Sequence, residues 1–225
     1  MVYLGINTAV APHAIGIYNE DRLGDITQSA RTPFAEQLIL EIKALLNRFD
    51  LTLGDLKGIG VLNGPGAYTG LRLGITVAKS LGQVQQTPVY GISTMDAIIQ
   101  QVTGIHMLTF TVIPARQNEY HVQLYANQNG GYHPLSECVT LSTEAFIKKV
   151  SDIKEPVLIT GIIAEDVAKQ IQKKGSHLYV HRVSLLGTTV AKMAQENHLK
   201  GEEGKITDVF PKYSHEPNIG KRKKS

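Results

Sequence analysis

A glycine-rich turn that feeds a helix is the densest chemical signal in the chain. The stretch is NGPGAYTGLRLGITVAKSLG, residues 63–82. Turns of this kind present backbone N–H groups at a helix N-terminus, where they commonly bind phosphate. The spacing nevertheless departs from the familiar phosphate loops. No Lys-Ser/Thr pair follows Gly70, as a Walker A loop requires, and the glycines are spaced G-x-G-x-x-x-G, which is not the dinucleotide fingerprint. The pattern alone leaves open whether this turn still holds a phosphate.

The helix after the turn carries a ridge of small residues. Thr69 is predicted to cap a helix over residues 69–83, and Gly70, Gly74 and Ala78 recur every four residues within it. Glycine inside a helix costs about 1 kcal/mol relative to alanine, so the ridge indicates a close packing contact. That contact is either the chain's own sheet or a helix of another protein, and the sequence favours neither.

An unusually apolar helix is predicted before the turn, over residues 33–49. Leu38, Ile42 and Leu45 belong to one helical stripe, and further apolar residues widen it beyond a single face. A helix of this kind generally packs on two sides. One side would be its own sheet, and the other a helix of the same chain or of a partner.

The order of predicted elements indicates an α/β protein of two lobes. The chain opens with a three-stranded antiparallel meander, continues with alternating helices and strands, and starts a similar series after residue 104. We expect a first lobe over residues 1–103, a smaller second lobe over 104–217 whose last helix packs back on the first, and a flexible basic tail over 218–225.

Composition excludes several classes of function. The 225 residues include one cysteine, so no internal disulfide forms, which fits a reducing cytoplasm. We see no signal peptide at the N-terminus and no apolar run of membrane-spanning length. The KRKK segment at residues 221–224 supplies +4 of charge, so the rest of a chain of net charge +3 sums to −1. The body is not a basic nucleic-acid surface, and the tail is either a solvated end or a weak contact to phosphates.

Two smaller constellations are weak candidates for catalysis. Cys138 has no identifiable base, so a small core cysteine is the simpler interpretation. His177 and His181 have the H-x-x-x-H spacing that binds metal on a helix. Their segment alternates like a strand, where that spacing would separate the rings by about 13 Å. We therefore predict no catalytic and no metal-binding residues.

Four segments resemble the TsaB (YeaZ) family: LGINTA at the start, NGPGAYTGLRLGITVAKSL, GISTMDAI and IPARQNEYHVQLY. PKYSHEP near the end is similar to a terminal piece of that family. The resemblance implies an actin-like (ASKHA, ribonuclease H-like) fold of two lobes with mixed sheets flanked by helices. It also implies a cytoplasmic role in making N6-threonylcarbamoyladenosine beside the anticodon of tRNAs that read ANN codons. In that pathway TsaD is the catalyst, TsaB pairs with it through helices of the first lobe, and the ATPase TsaE joins them.

Two departures bear on catalysis. Asn7 stands where the family commonly has Asp in the first turn, and Pro114 where it commonly has Asp in the second lobe. Asn brings no charge for Mg²⁺, and Pro offers neither a carboxylate nor an N–H. We therefore predict a non-catalytic scaffold that activates TsaD, makes a homodimer when alone and contacts tRNA only indirectly. An ATP-dependent phosphotransferase of the actin-like fold is the alternative, and a metallopeptidase is a weaker one.

The expected site has two parts. No tightly bound cofactor is expected, with ATP or ADP held at the junction with TsaD. The partner interface is predicted at Leu38, Ile42, Leu45, Gly70, Arg72, Gly74, Ile75, Ala78 and Lys79. The nucleotide-proximal turn is predicted at Asn7, Thr8, Gly64, Gly66 and Thr69. If the ridge faces a partner, Gly74→Leu is expected to abolish partner binding and leave the monomer folded.

Overall fold

Two mixed β-sheets organise the chain, which is described by a computed structural model over residues 1–20, 22–28, 34–102, 104–128 and 130–213. The strands are β1 (Val2–Asn7), β2 (His13–Asn19), β3 (Arg22–Gln28), β4 (Leu56–Gly64), β5 (Val89–Ser93), β6 (Leu108–Pro114), β7 (Glu119–Gln128), β8 (Gly131–Pro134), β9 (Val139–Ser142), β10 (Val157–Gly161) and β11 (Leu178–Arg182). The α-helices are α1 (Phe34–Arg48), α2 (Tyr68–Gln85), α3 (Thr94–Ile99), α4 (Thr143–Ser151), α5 (Glu165–Gln172) and α6 (Gly187–Leu199). Short 3-10 helices lie at Leu53–Asp55 and Ile206–Asp208.

The second sheet repeats the arrangement of the first. The first has the order β3-β2-β1-β4-β5, and the second the order β8-β7-β6-β10-β11, with β9 added beside β7. In both, three strands form an antiparallel meander, and the first of them also pairs in parallel with a later strand. The expected two-lobed fold of mixed sheets and helices is confirmed.

The segment at residues 132–141 divides into two short strands, β8 and β9. Pro134 ends β8, since it has no N–H for the ladder. The Ser136 hydroxyl then accepts the N–H of Leu124 at 3.1 Å, which replaces a strand-to-strand bond.

Three apolar clusters follow the layers of the fold. Helices α1 and α2 cover one face of the first sheet, with Leu4, Ile6 and Ile59 among the strand residues they bury. The opposite face packs with α3 and α6, and this cluster continues into the second sheet through Ile113 and Tyr125. Helices α4 and α5 cover the far side of the second sheet. The outer faces of α1 and α2 therefore form one end of the molecule.

Helix α6 follows the second sheet in sequence but lies against the first. Its backbone approaches the strands so closely that a Cβ added at Gly5 would overlap the carbonyl oxygen of Gly187. Asp25 of β3 anchors the start of the helix, accepting from the N–H of Thr188 at 3.0 Å and from its hydroxyl at 2.6 Å. The predicted tail at residues 218–225, the KRKK segment and the Pro33 start of α1 lie outside the described residues.

Candidate functional site

The turn after β1 holds its polar residues in the interior. Asn7 and Thr8 are both buried. The Asn7 side-chain Nδ2 donates to the carbonyl of Leu185 at 3.0 Å and to that of Pro12 at 3.2 Å, while its Oδ1 accepts from the N–H of Val10 at 3.2 Å. Because donor and acceptor atoms are already used within the chain, Asn7 fixes this turn and presents no free amide to a ligand.

The glycine turn packs directly on that first turn. The N–H of Ala67 donates to the carbonyl of Ala9 at 2.7 Å, and a Cβ at Gly66 would lie 2.6 Å from the same oxygen. On the other side, the N–H of Lys212 donates to the carbonyl of Asn63 at 2.6 Å. Gly64 has a φ of 128°, which favours glycine, and its space is closed by the Lys212 carbonyl. The chain's own backbone thus occupies both sides of the turn, and the residues present do not fit a phosphate.

The small-residue ridge of α2 faces the interior of the chain. A Cβ at Gly70 would overlap the carbonyl oxygen of Thr8, and one at Gly74 would overlap its hydroxyl. That hydroxyl donates to the Gly70 carbonyl at 2.6 Å, and Ala78 is fully buried. The ridge therefore packs the helix on β1, and its three residues are not available as direct partner contacts. The expectation for Gly74→Leu is corrected accordingly, since a leucine would displace the helix from its own sheet.

The start of α2 also differs from the prediction. The helix begins at Tyr68, and Ala67 stands at the N-cap position without a side-chain hydrogen bond. Thr69 lies within the first turn with its side chain exposed. It does not join Asn7, Thr8, Gly64 and Gly66, which do come together at the two packed turns.

Four apolar residues predicted at the partner interface lie in the core instead. They are Leu38, Ile42, Leu45 and Ile75, all buried in the cluster beneath α1 and α2, although Ile42 also lines the groove described next. Periodicity located this stripe correctly but could not say which side of the helix meets the sheet. The side chains that α1 turns outward are Ile39, Leu40 and Lys43.

An apolar groove of about 500 Å³ runs between the exposed sides of α1 and α2. Ile39, Leu46 and Leu81 line it, together with Leu51 and Leu53 of the connection that follows α1. Leu40, beside it on α1, is 66% exposed. Contiguous apolar surface of this kind is typical of a protein–protein contact.

Arg72 and Lys79, both predicted at the partner interface, lie on the outer side of α2 against residues 209–213, which we call the strap. The Arg72 Nε donates to the Tyr213 hydroxyl at 2.9 Å, and this bond raises the pKa of the guanidinium. Tyr213 stacks on Tyr68 with ring centroids 5.0 Å apart. The Lys79 Nζ lies 4.5 Å from the centroid of the Phe210 ring. The sequence likened PKYSHEP to a terminal piece of the family, but nothing in it identified α2 as the surface that receives Tyr213. Residues 214–217 of that piece lie outside the described residues.

A second cavity, of about 420 Å³, lies between the glycine turn and the second sheet. Its lining includes the carboxylates of Asp96 and Glu137. Asp96 accepts from the Tyr125 hydroxyl at 2.6 Å, and burial followed by this carboxylate raises the pKa of Tyr125. Burial, and then Glu137, raises the pKa of the Cys138 thiol to about 11. Lys212 also lines the cavity, but the two carboxylates outnumber this one cation, which disfavours phosphate. A protonated thiol is a poor nucleophile.

The remaining candidates stay apart from one another. His177 lies before β11 and its Nε2 is 2.9 Å from the carbonyl of Ile153, whereas His181 lies within the strand. Pro114 ends β6 with its side chain exposed. Across the residues that the structure describes, no group of three or more His, Cys, Asp or Glu side chains could hold a metal ion. Among these same residues, no helix is both long and apolar enough to cross a membrane.

Comparison with known proteins gives consistent matches over most of the chain. The family described as "TsaD: tRNA N6-adenosine threonylcarbamoyltransferase" matches residues 24–216. A protein of Buchnera aphidicola subsp. Schizaphis graminum named "tRNA threonylcarbamoyladenosine biosynthesis protein TsaB" is 27% identical over 215 residues, which cover 93% of this chain and 91% of the relative. The Bacillus subtilis protein of the same name is 25% identical over 162 residues, covering 72% of this chain and 71% of the relative.

The fold is also that of a solved structure. YeaZ from Pseudomonas aeruginosa superposes with a TM-score of 0.73 at 18% sequence identity, covering 94% of this chain and 99% of the other. The identity is low, so this likeness carries the fold and not the function. It agrees with the two repeated sheets described above.

Proposed function

Because the chain belongs to the TsaD family, and within it to the TsaB (YeaZ) proteins, we propose that it acts in the biosynthesis of N6-threonylcarbamoyladenosine in tRNA. Its role there is that of a scaffold that activates TsaD. The observation that carries the proposal is the similarity to a TsaB protein over 93% of this chain. The modified base is the adenosine beside the anticodon of tRNAs that read ANN codons.

The non-catalytic part of the proposal is supported by the two turns. Asn7 is buried with its amide committed to Leu185, Pro12 and Val10. Pro114 brings no acidic group to the second lobe. A phosphotransferase needs a carboxylate or equivalent ligand for the metal that accompanies the phosphates. The geometry therefore favours a partner role over the phosphotransferase alternative.

The partner surface is proposed at the outer end of the molecule, on α1 and α2. Ile39 and Leu40 are exposed at the apolar groove, and Arg72 and Lys79 lie on another side of α2, against residues 209–213. TsaD docks on this surface, TsaE joins the pair, and tRNA is contacted only through the complex. Alone in the cytoplasm, the chain covers the same apolar surface by forming a homodimer. ATP or ADP is held at the junction with TsaD, because this chain's own turns are filled by its backbone.

An omission assay tests the function. Threonylcarbamoyl-adenylate, unmodified tRNA, TsaD from the same organism, TsaE and ATP are combined with and without this protein, and the modified nucleoside is read by mass spectrometry. We expect modification to depend on the protein. Equal modification in its absence, with TsaD shown to be active, would refute the scaffold role.

A further inference from the structure

The strap holds two cations of α2 in fixed positions. Phe210 is 61% exposed, yet its ring lies beneath the Lys79 ammonium. Arg72 is held from two sides, since its Cζ lies 4.1 Å from the Tyr68 ring centroid and its Nε donates to the Tyr213 hydroxyl. Aromatic faces attract cations, so these contacts hold the Arg72 and Lys79 side chains in place before a partner binds. The two side chains then lose less conformational entropy when binding occurs.

The strap is itself firmly attached to the fold. Val209 is buried in the cluster beneath α1 and α2, and the N–H of Lys212 donates to the carbonyl of Asn63 at 2.6 Å. The aromatic side chains at positions 210 and 213 are thus carried by an anchored backbone. The folded backbone therefore holds both aromatic side chains at the surface of the molecule.

The fixed cations have no acidic counterpart within the described chain. Neither α2 nor the strap contains an Asp or Glu residue. Of the salt bridges found among the described residues, none involves Arg72 or Lys79. The Arg72 Nε is used by Tyr213, which leaves the terminal N–H groups of the guanidinium directed to bind a carboxylate in the bidentate manner. An acidic segment of another molecule would supply the charge complement of this surface.

We infer that the strap is part of the docking surface and that it presents Arg72 and Lys79 to an acidic segment of the protein partner. This inference rests on the proposed function, since it identifies the chemistry that TsaD must bring to α2. The partner segment combines carboxylates, which pair with the two cations, with an apolar side chain, which meets the exposed Phe210 ring. Complementary charges of this kind accelerate association and select the partner.

Nucleic acid is a poorer occupant of the same surface. Affinity for a phosphate backbone comes from neutralising many charges, and without the KRKK tail the chain sums to −1. The exposed apolar ring of Phe210 makes no favourable contact with a solvated phosphate chain. A protein segment uses both the cations and the apolar surface.

The test measures binding of TsaD from the same organism to the full-length protein by calorimetry, at low and at high salt. Arg72→Glu and Lys79→Glu should each weaken binding by about tenfold or more, because a partner carboxylate would then meet a like charge. Both variants should also reduce the salt dependence of the affinity. Lys192→Glu is the matched control, because Lys192 is exposed on α6, at the opposite face of the first sheet.

Two strap variants separate the role of the strap from that of the charges. Phe210→Ala removes the cation–π contact to Lys79, and Tyr213→Phe removes the hydrogen bond to the Arg72 Nε, while both cations are kept. We expect about threefold to tenfold weaker binding from each. Circular dichroism and thermal unfolding show whether each variant is folded. Arg72→Lys, which keeps the charge and loses the planar fork, should be intermediate.

The outcomes distinguish this inference from the proposed function. If wild-type protein binds TsaD and the four charge-reversal and strap variants bind equally well, the strap inference is wrong and the scaffold role stands. If the wild-type protein does not bind TsaD at all, both fail. Two further outcomes, each with unchanged affinity for TsaD, would overturn the inference. If the variants lose the homodimer in sedimentation, the surface binds a second copy of the chain. If they lose tRNA binding in a gel-shift assay, the surface binds nucleic acid.

Discussion

At the residue scale, the small ridge of α2 shows where sequence pattern stops being informative. The spacing of Gly70, Gly74 and Ala78 correctly predicts a close approach. What approaches is Thr8, on a turn far away in sequence, and no local signal connects the two. The same limit applies to Asn7. The sequence shows that this residue is uncharged, but it does not show that its amide donates to the carbonyl of Leu185.

Gly70→Ala is predicted to destabilise the fold. In an ordinary helix this change stabilises, but here the added methyl would overlap the Thr8 carbonyl, which is backbone and cannot rotate away. We expect the free energy of unfolding to fall by about 1–3 kcal/mol, measured by urea denaturation. Gly54→Ala is the matched control, because a Cβ there meets nothing closer than 3.6 Å, and we expect a change within about 0.5 kcal/mol. Equal stability of the two variants would contradict the packing argument.

At the element scale, α1 was predictable as a helix but not in its orientation. A wide apolar stripe allows the helix to be buried on either of its sides. The position of the first sheet decides which side is buried, and it places Leu38, Ile42 and Leu45 in the core. The residues left outside, Ile39 and Leu40, were visible in the sequence as the widening of the stripe. The contact between the strap and α2 could not be predicted, since it joins Tyr213 to Arg72 across most of the chain.

Leu40→Asp is predicted to weaken partner binding while the fold is kept. Its side chain is largely exposed, so the monomer tolerates the charge, whereas a docked partner would bury an unpaired carboxylate. We expect TsaD affinity to fall by about tenfold or more, measured by calorimetry. Leu199→Asp changes an equally exposed leucine, 67% accessible at the end of α6, and should leave the affinity unchanged. Equal loss in both variants would remove α1 from the interface.

At the scale of the whole molecule, the two-lobed architecture was predictable because each lobe repeats an order of strands and helices. Physical packing follows a different division, since α6 belongs to the second half of the chain and lies on the first sheet. Residues 1–103 lack this cover, which contributes Val190, Ala191 and Ala194 to the buried cluster. All strands of the first sheet therefore precede α6 in sequence, although α6 is needed to cover one face of that sheet.

A fragment of residues 1–103 is accordingly predicted not to fold by itself. Without α6, the face of the first sheet that carries Tyr3, Leu62 and Tyr90 is exposed to water. We expect no cooperative thermal transition and little amide protection in hydrogen exchange. The full-length chain is the control and should show both. A cooperative transition in the fragment would mean that α6 is dispensable to the first sheet.

The position of α6 also sets the order of events on the ribosome. Domains generally fold as units, and those nearest the N-terminus usually finish first during synthesis. Here the strands of the first sheet are made before residues 187–199, which later cover one of their faces. Until then the nascent chain carries an open apolar sheet, which is the kind of surface that chaperones bind. The first sheet thus completes its packing only after the strands of the second sheet, which precede α6 in sequence, have been made.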